Sequence, residues 1–282
     1  MKGMPLRARH AVPLAILFAS ALVARPASPG QPAVATFERG RGEPTLVLIH
    51  GLGQSHAMWD RVAAKLAERH RLILVDLPGH GASVALPSVS VGSVAEAMDR
   101  SLKAHKVKRA VLVGHSYGGL VALEEAAGHP DRAAGVVSID LATFAEFDSS
   151  RVASLESVLR DRYPLFVQSV FGPMAREESQ VDSVIARAER VPQDVMAAYF
   201  HDAWRADLRP RIRTLRIPVL VVATDATWHP AESWSSARAR LGYETAGPAI
   251  GRRILESGHL IPIDQPDSLA AAIEDFAGTI KK

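Results

Sequence analysis

The chain has 282 residues, of which 48% are hydrophobic and 22% are charged, and it contains no cysteine. A hydrophobic fraction of this size is typical of a globular protein and excludes an intrinsically disordered chain. The length is sufficient for one large α/β domain that carries an insertion. Without cysteine, the protein can form neither a disulfide nor a cysteine-linked lipid anchor.

The formal net charge of +3 does not indicate a nucleic-acid partner. Residues 1–24 contain Lys2, Arg7 and Arg9 and no acidic residue, so the remainder of the chain has a formal charge near zero. Basic residues further along alternate with acidic ones, as at Arg187 and Glu189, which is typical of a solvated surface.

The N-terminal segment has the features of a secretory signal peptide. The basic residues precede a mostly apolar stretch at residues 11–24, and residues 19–21 form an Ala-Ser-Ala cleavage sequence. We expect a signal peptide at residues 1–24, a linker at residues 25–34, and a periplasmic or secreted protein. The apolar stretch is shorter than the roughly 20 residues of a membrane span, so no stable span is expected once the signal is removed. An uncleaved membrane anchor is the alternative.

Short apolar runs and helix-like segments alternate along most of the remaining chain. Strands are predicted at residues 34–39, 45–50, 72–76, 110–114, 135–140, 218–224 and 252–255. Helices are predicted at residues 58–69, 94–105, 119–128 and 268–280. Doubly buried strands that alternate with helices predict an α/β protein with a mostly parallel sheet. Residues 141–215 differ, since they show only helix-like stretches, at 151–162, 181–190 and 195–204.

A serine motif follows the fourth predicted strand. The strand ends in G-H-S-Y-G at residues 114–118, and a helix-like stretch comes next. A strand, a sharp turn and a helix in this order are the setting of a nucleophile elbow, which exposes the serine hydroxyl above the sheet. Ser116 is therefore the candidate nucleophile, although G-x-S-x-G also occurs in ordinary surface turns.

Two further segments complete the pattern of an acyl-transfer site. H-G-L-G at residues 50–53 follows the second predicted strand, so the amides of Leu52 and Tyr117 are placed to stabilise an oxyanion. His259 lies in a loop near the C-terminus and is the candidate general base. Each segment alone could be an ordinary loop, and their order along the chain carries the interpretation.

These motifs resemble those of serine hydrolases with the α/β-hydrolase fold. They stand in the family's order, with H-G at 50–51, D-L-P-G-H-G at 76–81, G-H-S-Y-G at 114–118 and G-H at 258–259. The group includes esterases, lactonases, C–C bond hydrolases and cofactor-free perhydrolases. The resemblance implies a mostly parallel central sheet flanked by helices. It also implies a helical cap at residues 141–215, inserted into a core of residues 35–140 and 216–282; ordinary crossover helices are the alternative.

The acid of the triad is open between two aspartates. Asp225 follows the sixth predicted strand, and Asp140 ends the fifth. Family members commonly carry G-x-x-D after the later strand, but here Thr224 occupies the glycine position and Thr227 the acid position. Asp225 therefore lies two residues early. We favour Asp225, because its loop is the commoner place for the acid, and keep Asp140 as the alternative.

Apolar side chains could line a pocket for an acyl or alcohol group, although each is more often a core residue. The candidates are Leu52, Met58, Trp59, Tyr117, Phe144, Phe147, Phe166, Phe171, Trp204 and Trp228. The histidines show no metal-ligand spacing, and no G-x-G-x-x-G follows a strand. We therefore predict no metal and no cofactor.

The leading hypothesis is an exported serine hydrolase that cleaves a small ester, thioester or lactone through an acyl-enzyme. Ser116 would attack the carbonyl carbon and His259 would transfer the proton. One alternative is a low-turnover ligand-binding or receptor protein on the same fold. Another is an acyltransferase or perhydrolase, in which a different nucleophile replaces water. In each case the expected partner is a small molecule.

Overall fold

The computed structural model describes residues 34–145 and 148–280. The predicted signal peptide, nearly all of the predicted linker and Phe147 lie outside the described residues. Among the helices of the described part, none combines the length and the apolar character that a membrane span requires.

Seven strands of the described chain form one sheet. They are β1 (Thr36–Arg39), β2 (Thr45–Ile49), β3 (Leu72–Val75), β4 (Ala110–His115), β5 (Ala133–Ile139), β6 (Val219–Ala223) and β7 (Ala249–Arg253). Their order across the sheet is β1-β3-β2-β4-β5-β6-β7. β1 is antiparallel to β3, and every other neighbouring pair is parallel. The predicted α/β class and its mostly parallel sheet are confirmed.

Eleven α-helices occur in the described residues. In chain order they are α1 (Asp60–Leu66), α2 (Val91–Ala104), α3 (Tyr117–Gly128), α4 (Ser149–Asp161), α5 (Tyr163–Phe171), α6 (Glu178–Ala188), α7 (Gln193–Ala203), α8 (Arg209–Ile212), α9 (Trp234–Arg240), α10 (Ile261–Asp264) and α11 (Pro266–Thr279). Four of them, α5, α8, α9 and α10, have no counterpart among the predicted helices.

The central strands are buried on both faces of the sheet, which explains their continuous apolar sequences. Successive side chains of a strand point to opposite faces. In β2, Val47 and Ile49 belong to the apolar layer that contains residues of α2 and α3. Leu46 and Leu48 belong to the opposite layer, which contains residues of α1 and α11. Helices on both faces therefore shield the sheet from water.

Between β5 and β6, the described residues form the helices α4 to α8 and a single isolated β-bridge, Phe144 with Asp207. We call residues 141–215 the cap segment, and its separation from the core as a domain stays a prediction. Two phenol groups tie it to the core. Tyr117 Oη donates a hydrogen bond to Asp202 Oδ2 at 2.6 Å, and Tyr199 Oη donates one to the carbonyl of Pro78 at 2.9 Å.

Parallel pairing brings the predicted catalytic segments to one edge of the sheet. Ile49, at the end of β2, lies opposite Gly114 of β4, and Gly114 lies opposite Ser138 of β5. The loop after β2, the elbow after β4 and the aspartate after β5 therefore begin at the same level. In open α/β sheets, ligands bind at this carboxyl-end edge.

Candidate active site

The elbow places Ser116 between β4 and α3 in a strained conformation, with φ 51° and ψ −123°. Such a backbone costs about 1–3 kcal/mol for a residue with a side chain, so its surroundings must enforce it. The Ser116 N–H donates to the carbonyl of Ile139 at 2.9 Å. A Cβ at Gly114 would lie 2.2 Å from the carbonyl oxygen of Gly118, and one at Gly118 would lie 2.4 Å from that of Ile49. The two glycines are therefore a steric requirement of the turn.

His259 is held by Asp140. Its Nδ1–H donates a hydrogen bond to Asp140 Oδ2 at 2.7 Å, and Asp140 is 7% exposed. The other carboxylate oxygen, Oδ1, accepts from the N–H of Thr224 at 3.0 Å and from its hydroxyl at 3.1 Å. Burial opposes ionisation of this carboxyl, but the hydrogen bond and charge of His259 and the Thr224 N–H outweigh it and lower the pKa of Asp140.

The structure places Asp140, and not the favoured Asp225, beside His259. His259 Nδ1 has one hydrogen to donate, and it goes to Asp140. Within the described residues, the buried Oδ1 of Asp225 has no hydrogen-bond partner. The physical reason lies in the loop after β6. The threonine at the glycine position of the motif, Thr224, turns its N–H and hydroxyl towards Asp140, so this loop supports the carboxylate of the neighbouring strand.

The predicted oxyanion residues lie beside the elbow. Leu52 and Tyr117 line the same cavity as Ser116. A Cβ at Gly51 would lie 3.1 Å from the Cβ of Ser116, so the loop after β2 packs directly against the candidate nucleophile. In the part of the chain that the structure describes, the amides of Leu52 and Tyr117 donate to no protein acceptor. Both N–H groups are therefore available to a negatively charged oxygen.

Ser116, Asp140 and His259 border one cavity of about 260 Å³. Among the described residues, the Ser116 hydroxyl has no hydrogen-bond partner. The serine–histidine hydrogen bond of free enzymes is often long and shortens when substrate binds. The arrangement brings together a hydroxyl, an imidazole oriented by a carboxylate, and two free amides.

The cavity wall is mainly apolar. Five of the predicted pocket residues line it, namely Leu52, Tyr117, Phe144, Phe171 and Trp204. Met58, Trp59 and Phe166 belong instead to the apolar core, and Trp228 packs against Trp234. The cavity is also lined by residues that were not predicted from the sequence, namely Leu120, Leu141, Met174, Phe200 and Leu260. Helical periodicity could have indicated Phe200, which lies four residues before Trp204, whereas the others carry no signal that distinguishes them from core residues.

Two buried histidines stabilise the loops beside the site. The N–H of Leu77 donates to Nε2 of His50 at 3.0 Å, and the N–H of Gly53 donates to Nε2 of His80 at 3.3 Å. Both imidazoles must therefore be neutral. Burial lowers the pKa of His50 to about 4 and that of His80 to about 3.

Comparisons with known proteins show the family of the chain. The alpha/beta hydrolase family matches the chain over residues 46–272. The chain belongs to the alpha/beta hydrolase family. It is 28% identical over 256 residues to a pimeloyl-[acyl-carrier protein] methyl ester esterase of Vibrio vulnificus (strain YJ016), covering 85% of this chain and 96% of that protein. It is 29% identical over 254 residues to the protein of the same name from Edwardsiella ictaluri (strain 93-146), covering 84% and 95%.

Solved structures show the same fold. A thermophilic esterase from Thermogutta terrifontis matches with a TM-score of 0.77 and 23% identity, covering 92% of this chain and 98% of that one. The enol-lactonase from Burkholderia xenovorans LB400 matches with a TM-score of 0.76 and 21% identity, covering 87% and 96%. The family match and the names of these relatives support an ester hydrolase on this fold.

We predict that the protein loses stability between about pH 6.5 and about pH 4. The unfolded chain binds protons at His50 and His80 below their ordinary pKa of 6.5, whereas the folded protein does not until the pKa values of about 4 and 3. The histidines therefore favour folding fully above pH 6.5, and this contribution falls as the pH falls. The melting temperature should drop by roughly 15–25 °C across this range, because each histidine costs about 1.4 kcal/mol for every pH unit.

His80→Gln is the matched control, because glutamine can accept a hydrogen bond and does not titrate. Burial raises the pKa of Glu125 to about 8, so this group changes stability in the opposite direction over part of the range. Comparison of the variant with the parent cancels that effect. A parent protein with the same pH dependence as His80→Gln would contradict the prediction.

Proposed function

We propose that the protein hydrolyses small, uncharged carboxylic esters through an acyl-enzyme on Ser116, with His259 as the base and Asp140 as the acid of the triad. The observation that carries the proposal is the hydrogen bond from His259 Nδ1 to Asp140 Oδ2, on the border of the cavity that also contains the elbow serine.

The reaction follows from the protonation states that these contacts impose. With its hydrogen on Nδ1 held by Asp140, neutral His259 presents a lone pair on Nε2, which accepts the proton of Ser116 as Oγ attacks the carbonyl carbon. The amides of Leu52 and Tyr117 donate to the oxyanion that forms. The imidazolium returns the proton to the leaving alcohol, and an acyl-enzyme remains. Water, deprotonated by His259, then releases the acid and restores the serine hydroxyl.

The size and polarity of the cavity support a small, neutral substrate. Its volume of about 260 Å³ is small for a ligand pocket. Among the described residues that line it, Asp140 and His259 are the ionisable groups besides the neutral His115 and Tyr117, and no lysine or arginine is present. A charged acyl group would lose its hydration there without gaining a partner of opposite charge. The methyl ester named for the relatives favours an oxygen ester over a thioester or lactone.

We predict that Ser116→Ala abolishes both fluorophosphonate labelling and hydrolysis of a chromogenic ester panel of increasing acyl length, because the attacking oxygen is absent. The melting temperature should not fall. Ser183→Ala, at an exposed position of α6, is the matched control and should keep both activities. Labelling that persists in the Ser116→Ala variant would exclude this serine as the nucleophile.

The same panel tests the alternatives. Rapid turnover of short oxygen esters, and slow turnover of matched thioesters and lactones, is the expected result. Acceleration by added alcohol or peroxide would favour an acyltransferase or perhydrolase. Thermal stabilisation by a ligand without product would favour a binding protein.

We predict that Asp140→Asn lowers kcat by about 10⁴-fold, the loss that follows the corresponding change in a serine protease triad. The amide removes the charge that stabilises the imidazolium and favours the wrong tautomer of His259. Asp225→Asn is the matched control and should lower kcat by less than about tenfold, because Asp225 makes no hydrogen bond to His259. Melting temperatures measured for both variants separate loss of chemistry from loss of folding. If Asp225→Asn is the only inactive variant and the protein stays stable, the acid of the triad is Asp225 and not Asp140.

We also propose that the protein is exported to the periplasm or medium, on the basis of the basic, apolar and Ala-Ser-Ala segments at its N-terminus. The mature N-terminus should then lie between Ala21 and Ala27, as determined by mass spectrometry of the protein from fractionated cells. Intact Met1 on protein from the cytoplasmic fraction would contradict export, and intact Met1 in the membrane fraction would indicate an uncleaved anchor.

A further inference from the structure

His115, the residue before the candidate nucleophile, contacts two of the loops that form the site. Its Nε2 lies 2.8 Å from the carbonyl oxygen of His259. A carbonyl only accepts hydrogen bonds, so Nε2 carries the hydrogen and donates it. The two imidazole rings lie 4.7 Å apart between centroids, with 52° between their planes. His115 thus fixes the backbone of the residue whose side chain Asp140 orients.

The opposite side of the His115 ring packs against the oxyanion loop. A Cβ at Gly51 would lie 2.7 Å from His115 Nδ1, so the ring fills the space beside the backbone that leads to Leu52. Nδ1 is buried and, within the described residues, has no hydrogen-bond partner. An apolar side chain would avoid the cost of this unpaired atom, which is about 1–3 kcal/mol. Space filling alone therefore does not account for an imidazole here.

The imidazole ring of His115 is also uncharged. Burial, together with the neighbouring charge of His259, lowers the pKa of His115 to about 3. It therefore stays neutral when His259 takes up a proton, and it adds no repulsive charge to the imidazolium.

We infer that His115 is a positioning residue, which holds the His259 loop at the correct distance from the elbow through the hydrogen bond from Nε2 to the His259 carbonyl. This inference rests on the function proposed above. His115 takes no part in proton transfer. It acts by setting the position of His259 relative to Ser116. Misplacement of a catalytic group by about 1 Å can lower a rate by about 100-fold.

A pair of amide variants tests the inference. In His115→Gln, the side-chain amide reaches about as far as Nε2 of histidine and can still donate to the carbonyl. In His115→Asn, the amide is one bond shorter and cannot. We expect His115→Asn to lower kcat by about 10- to 100-fold with little change in KM, and to slow fluorophosphonate labelling of Ser116 by a similar factor. His115→Gln should recover both rates to within about threefold of the parent.

Equal rates in the two amide variants, or a loss confined to KM, would overturn the inference. If His115→Asn does not fold, His115→Leu serves as the second variant, and the same comparison with His115→Gln applies. Hydrogen exchange of the His259 loop at low temperature gives an independent readout. It should be faster in the short or apolar variant and normal in the glutamine variant, and equal exchange in all of them would also overturn the inference. Failure of the parent protein to label at Ser116 would contradict the proposed function itself, which separates the two conclusions.

Discussion

The left-handed backbone of Ser116 is the constraint on which the site depends. A side chain at this φ is unfavourable, so the turn exists only because β4, β5 and α3 hold its ends. The ends come so close that glycine is required on both sides. The loop after β2 then packs against the same turn, with a glycine of its own at the contact. The proposed nucleophile and the proposed oxyanion amides are thus placed by one set of backbone contacts and not by flexible side chains.

The second organising feature is that the two carboxylate oxygens of Asp140 have different hydrogen-bond partners. One oxygen accepts from His259, and the other accepts twice from Thr224. Asp140 also has a positive φ of 50°, and its N–H donates to the carbonyl of Val222 at 2.7 Å. The carboxylate is therefore fixed by β6 and the residue that follows it on one side, and by the His259 loop on the other. A buried charge held this way cannot rotate to a different partner, which keeps the imidazole in a single tautomer.

The sequence predicted the parts of this design that depend on local chemistry. Doubly apolar strands identified the sheet, and the strand–serine–helix pattern identified Ser116 as the elbow residue. The partner of His259 was not predictable in this way, since Asp140 and Asp225 both end strands that are adjacent in the sheet. Their difference lies in whether Thr224 points to one carboxylate or the other, and a side-chain direction in a loop leaves no pattern in sequence.

The cap segment illustrates a second limit. The helix α5 was missed, because its sequence Y-P-L-F-V-Q-S-V-F is apolar on several sides and has proline at its second position. Such a segment does not show the single apolar stripe by which surface helices are recognised. For the same reason, residues that line the cavity, such as Met174 and Leu260, could not be separated from residues that fill the core. Both environments favour apolar side chains. They differ only in that side chains of the cavity wall border an open space, whereas those of the core do not.

Tyr117 connects the core to the cap segment, through its backbone amide at one end and its phenol at the other. Its amide lies at the proposed oxyanion position, while its phenol donates a hydrogen bond to Asp202 on α7. The same helix carries Tyr199, which is bonded to the loop after β3. In protein engineering, α7 is therefore the part of the cap segment that should be left unchanged. Substrate range is better altered from α5 and the turn that follows it, where Phe171 and Met174 face the cavity without hydrogen bonds to the catalytic loops.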